Sequence, residues 1–184
     1  MRTIELKNEL IADIRVFKAH DLAKQVLDCN LIPELITLAL DNDKLISSRA
    51  MWVLSHATDI NYDCVKSYHL KLIDRLKHPD LHDGVIRSVL RLYQKMPVPE
   101  SRESFMLDIC YRYIKNPSVA IAIRAFAITV VFNISKAYPD LLQELKIVLN
   151  RLSISDEGPG IRARVKNTLR DIDKILYPKK KLKI

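Results

Sequence analysis

Apolar residues recur three and four positions apart along most of this 184-residue chain, the spacing that places side chains on one face of an α-helix. Leu31, Leu35 and Leu38, with Ile32 and Ile36, outline one such segment, and Asp41–Asp43 interrupts it. Leu45 to Ala57 makes a second, containing Ala50, Met51, Val53 and Leu54. Val65 to Leu76 follows, then a break at His78-Pro79-Asp80, then Val85 to Met96. Pro97-Val98-Pro99 is the clearest connector, because proline stops a helix and restricts the residue before it. Beyond it the pattern predicts helices over Ser101–Ile114, Val119–Lys136, Leu141–Leu152 and Ile161–Leu176. Pro117, Pro139, the Gly158-Pro159-Gly160 loop and Pro178 punctuate them. Helical periodicity dominates, so the expected class is all-α.

The helices group in pairs, and one residue serves as a ruler. Arg49, Arg87, Arg124 and Arg162 stand 38, 37 and 38 residues apart. Each lies early in the second helix of a pair, is followed by Ala or Ser, and trails an acidic or amide residue: Asp41, Asp80, Asn116 or Asp156. A fixed period of this length marks a solenoid, in which a helix pair cannot bury its apolar face alone and stacks on its neighbours. The unit resembles a HEAT repeat, with its turn aspartate and its aliphatic-Arg-x-Ala start to the second helix. Ser48 departs from the aliphatic position, and Asn116 from the aspartate. Four units fall at about 31–58, 62–96, 101–137 and 140–176 of a single domain, 1–176. A helical cap spans 3–29, and a basic tail spans 177–184.

The resemblance implies a right-handed α-α superhelix whose second helices line a concave face used to bind protein partners. It also implies a hydrogen-bond ladder in which Asp41, Asp80, Asn116 and Asp156 serve Arg49, Arg87, Arg124 and Arg162. Arginine suits that role because its planar fork offers several donors to oxygen acceptors.

Positions four and eight beyond each arginine do not repeat. They are Val53 and Ala57 in the first unit and Ile128 and Phe132 in the third. They are Arg91 and Lys95 in the second and Lys166 and Arg170 in the fourth, with Lys174 one turn later. Residues so spaced share a helix face, so two basic stripes are expected to flank an apolar helix. Arg91, Lys95, Ile128, Phe132, Lys166, Arg170 and Lys174 are therefore the candidate partner-binding residues. The Val119–Ile134 segment is apolar nearly all round, the mark of an interior helix.

Composition narrows the function. Three glycines, Gly84, Gly158 and Gly160, are too few for phosphate-cradling loops or tight hairpins. Three scattered cysteines without a CxxC pair fit reduced thiols in the cytoplasm. The N-terminus has no signal-peptide core, and no apolar run is long enough to span a bilayer. Of the net charge of +8, residues 151–184 carry +6. That asymmetry keeps nucleic acid or another polyanion open as an alternative partner.

Chemistry is sparse. His78 and His82, with Asp80 and Asp83, could suggest a metal, but Pro79 starts a helix there and the acidic residues suit N-caps. No metal, cofactor or catalytic residue is expected. A DNA-glycosylase reading by analogy with HEAT-like members of that class would need a groove aspartate beside Trp52, and Trp52 reads more simply as core. The chain is also similar to short bacterial HEAT-like proteins that sometimes bear the name adenylosuccinate lyase. Ser47-Ser48-Arg49-Ala50-Met51 lacks the continuation of that lyase's signature loop, so the activity is not expected. The expectation is a non-catalytic binding scaffold.

Overall fold

A computed structural model of the chain describes residues 3–12, 17–154 and 158–178. Asp156 and the tail residues Lys179–Ile184 lie outside them. Among the described residues there are ten α-helices, one 3-10 helix and no strand. None of these helices is long and apolar enough to cross a membrane.

The chain forms two compact units, Met1–Pro99 and Glu100–Ile184, and Pro97-Val98-Pro99 closes the first of them in sequence. The first holds α1 (Thr3–Ile11), α2 (Ala19–Asp28), α3 (Ile32–Ala39), α4 (Lys44–Ile60), a 3-10 helix (Tyr62–Tyr68), α5 (His69–Arg75) and α6 (Asp83–Tyr93). The second holds α7 (Glu100–Lys115), α8 (Ile121–Ser135), α9 (Pro139–Ile154) and α10 (Pro159–Leu176). The pairs α3/α4, α5/α6, α7/α8 and α9/α10 occupy the four intervals marked by the recurring arginine.

In the first unit α4 is central, packing on α1, α2, α3, α6 and the 3-10 helix. Asp43 starts it, its side chain accepting from the Leu45 and Ile46 N–H groups at 2.9 and 3.0 Å, which satisfies two orphan donors. Buried Ser47 ties α4 to its own hairpin, donating to the Ala39 carbonyl at 2.8 Å. Small residues let α6 approach closely: a Cβ at Gly84 would lie 3.1 Å from that of Ser48. In the second unit α8 holds the corresponding place, packed on α7, α9 and α10. Ile123, Ala127, Ile128, Val130, Val131 and Ile134 are all buried, as its all-round apolar sequence predicts.

Two local expectations need correction. The segment read as one helix from Val65 to Leu76 begins as a 3-10 turn, Tyr62–Tyr68, before α5. Only Val65 is buried within that turn, so little apolar contact holds it in α geometry. The N-cap of α6 is His82, whose Nδ1 accepts from the Gly84 N–H at 3.0 Å. Asp80 instead takes a left-handed backbone with φ of 60°, a conformation aspartate tolerates in turns.

Candidate functional site

Because α4 is packed on several sides, solvent reaches little of it. Ile46, Ala50, Met51, Val53, Leu54 and Ala57 are buried. The strip left accessible includes Arg49, Trp52, His56 and Asp59, spaced so that all four share one helix face. Trp52 is thus half-buried and not a core residue. The Phe17 ring, just before α2, lies 5.5 Å from that of Trp52, and the His56 ring lies 6.2 Å from it. His20 of α2 meets His56 edge-on at 5.9 Å. The Arg49 guanidinium sits 5.1 Å over Phe17, completing an aromatic platform that crosses from α2 to α4.

The platform ends in charge. Asp59, with a side chain 25% exposed, accepts from Arg91 and Lys95 at 2.5 Å each. Arg91 also donates to the Ser55 carbonyl at 2.6 Å, so one guanidinium binds α6 to α4 twice. Burial alone would raise the Asp59 pKa, but hydrogen bonds from Lys95 and Arg91 prevail and hold it below the usual carboxylate value. His56 moves down from 6.5, chiefly because burial disfavours the imidazolium and secondarily because Arg91 repels it. The face therefore presents a neutral imidazole, an ionised carboxylate and two cations. Arg91 and Lys95 do form a stripe, as the spacing suggests, but it is clamped by an aspartate from the neighbouring repeat.

The second unit differs. Ile128, expected on the floor of a partner site, is fully buried in the packing around α8 and presents no surface. Phe132 is half-buried beneath the Lys136 ammonium, 4.7 Å above its ring. Lys166 and Arg170 are exposed on α10. Arg170 lies 3.5 Å from Asp171, and Lys174 pairs with the same carboxylate at 2.8 Å. Beside them, Lys146 reaches Asp173 at 2.7 Å and covers the Tyr177 ring at 4.8 Å, on a broad open cleft of about 1040 Å³.

The recurring arginines do not all act alike. Arg49 turns away from Asp41 and donates to the Leu10 carbonyl at 2.9 Å and to that of Ala12, fastening the end of α1. The Asp41 carboxylate instead accepts from the Asp43 N–H at 2.9 Å, which organises its own turn. Arg124 is buried, and its Nε and Nη2 donate to the Ile114 carbonyl at the end of α7 at 3.3 and 3.1 Å. The Asn116 side chain accepts from the Ser118 N–H at 3.0 Å. Arg87 and Arg162 are exposed, and Arg87 forms no pair with Asp80. Beside Arg91, a second arginine link between successive pairs comes from Arg75, which spacing did not single out. Buried at the end of α5, it donates through Nη2 to the Asp41 carbonyl at 2.6 Å. Its signal was an arginine set among Leu72, Ile73 and Leu76. Phe17, His20, His56 and Asp59 belong to no sequence motif, although Trp52, His56 and Asp59 share a helix face.

Among known families, residues 6–172 match the HEAT repeat domain. No curated protein and no solved structure matches the chain.

Proposed function

Because the chain belongs to the HEAT-repeat family, whose stacked helix pairs build extended binding surfaces, we propose that it is a non-catalytic scaffold holding a protein partner. The docking face is the second-helix face of the first unit. The supporting observation is the strip on α4: a helix buried on its other sides exposes Trp52 and His56 beside the Asp59–Arg91–Lys95 cluster. Aromatic and arginine side chains held in place by neighbours are the groups that carry affinity in protein interfaces. A cytoplasmic setting accords with cysteines that form no disulfide among the described residues.

A photo-cross-linking residue tests this reading. Placed at His56, it captures a discrete protein in the source cells; placed at exposed Ile147 on α9, it does not. Equal capture at both positions, or none at His56, removes the reading. A second reading, polyanion binding, is favoured by the exposed Lys166 and Arg170 on α10. It requires salt-sensitive binding of random DNA or RNA that is lost when both residues become glutamate.

A further inference from the structure

The α4 strip and its neighbours are arranged in an order that defines a ligand. Crossing the helices from α2 to α6, the surface passes from Phe17 to Trp52 and His56, then to Asp59, then to Arg91 and Lys95. The first part is aromatic and the last is cationic. Arg87, exposed one turn before Arg91, extends the cationic end. That end carries three cations against two carboxylates, Asp59 and Asp83 one turn before Arg87, so its net charge stays positive and a negative partner is favoured there. Helices pack with axes about 8–10 Å apart, so two steps across the layer span roughly 20 Å, or about six extended residues.

We propose that this face binds an extended acidic peptide segment. A phenylalanine-like or leucine-like anchor would rest on Trp52 and Phe17, and glutamates or aspartates about five residues away would meet Arg91 and Lys95. The proposal rests on the scaffold reading above and names the chemistry of its partner. Asp59 has a specific part: it holds Arg91 and Lys95 extended toward α4, so their remaining N–H groups are preorganised for incoming carboxylates. Single-stranded nucleic acid is the competing occupant, since bases stack on aromatic side chains and phosphates seek cations. Peptide is favoured because Asp59 lies in the middle of the track, where a continuous phosphate backbone would meet a fixed negative charge.

Trp52 is the only tryptophan, so its fluorescence reads the site directly. The probe is an eight-residue synthetic peptide with one phenylalanine and two glutamates placed five and six residues on. Titrated into the whole chain, it is expected to shift Trp52 emission saturably and to weaken as salt rises from 50 to 500 mM. Arg91→Glu with Lys95→Glu should lower affinity at least tenfold, and Arg91→Gln with Lys95→Gln should do so by less. Trp52→Ala, followed by calorimetry, should weaken binding severalfold, and Lys166→Glu with Arg170→Glu should leave it unchanged. Equal binding of a glutamine or lysine version of the peptide overturns the charge assignment. Binding of octauridylate more tightly than the peptide assigns the face to nucleic acid instead. If cross-linking at His56 captures a protein while the peptide fails to bind, the scaffold reading stands and this ligand chemistry falls. If both experiments are negative, both fall.

Discussion

Helices α4 and α8 hold the same place in their repeats, each carrying the recurring arginine within its first two turns, yet they present different groups to solvent. On α8 the arginine turns inward, 3% exposed, and the half-buried strip through Phe126, Thr129 and Phe132 is apolar apart from one hydroxyl, with Lys136 over the Phe132 ring. On α4 the half-buried strip instead gathers aromatic, imidazole and carboxylate groups. The ruler residue is thus no guide to function; what the neighbouring helices leave uncovered is.

Substitutions should separate the two helices by their cost. Ile128→Ala removes packed atoms from a closed interior and should destabilise the chain by about 3 kcal/mol. His56→Ala on the open strip should cost under about 1 kcal/mol. Urea unfolding of both variants checks the contrast, and similar losses would erase it. The arginines give the next contrast. Arg124→Ala leaves the buried Ile114 carbonyl short of donors and should cost about 2 kcal/mol. Exposed Arg87→Ala should stay within about 0.5 kcal/mol.

Smaller effects probe the charged cluster. Asp59→Asn removes both ion pairs but leaves Arg91 its bond to the Ser55 carbonyl, so the loss should be under about 1 kcal/mol. The same change should lower the His56 pKa further, because the Asp59 charge is what raises it. The smallest effect is the pH dependence of His56 itself. Its folded pKa lies below 6.5, so the unfolded chain binds its proton first as pH falls. The stability it contributes is complete above about pH 6.5 and is lost as pH drops through the folded value. An NMR titration of the His56 ring should give a midpoint under 6.5 in the wild type and a lower one in Asp59→Asn. A midpoint at or above 6.5 would remove the claim that the imidazole is neutral on this face.

The all-α class, the paired helices and the connector at Pro97-Val98-Pro99 were legible because apolar periodicity and proline act locally. The burial of Val53 and Ala57 follows from their apolar character, whereas spacing alone put Ile128 on a partner surface that the packing around α8 does not leave open. The site was harder to read, since it depends on which groups α2, α4 and α6 bring together. Asp59 lies more than 30 residues from Arg91 and Lys95, and no local pattern joins them. Trp52 resembled a core residue because size and apolarity cannot show that its outer edge remains uncovered. Arg49 was expected to pair with Asp41, but backbone carbonyls at the end of α1 compete for the same donors, and only the packed helices reveal them.

The central claim is that α4 keeps an open strip through Trp52 and that a ligand covers it. Acrylamide quenching of Trp52 emission tests this most directly. The account predicts ready quenching in the free chain and at least a twofold smaller quenching constant with saturating acidic peptide. A tryptophan shielded in the free chain, or quenching unchanged by bound peptide, would contradict it.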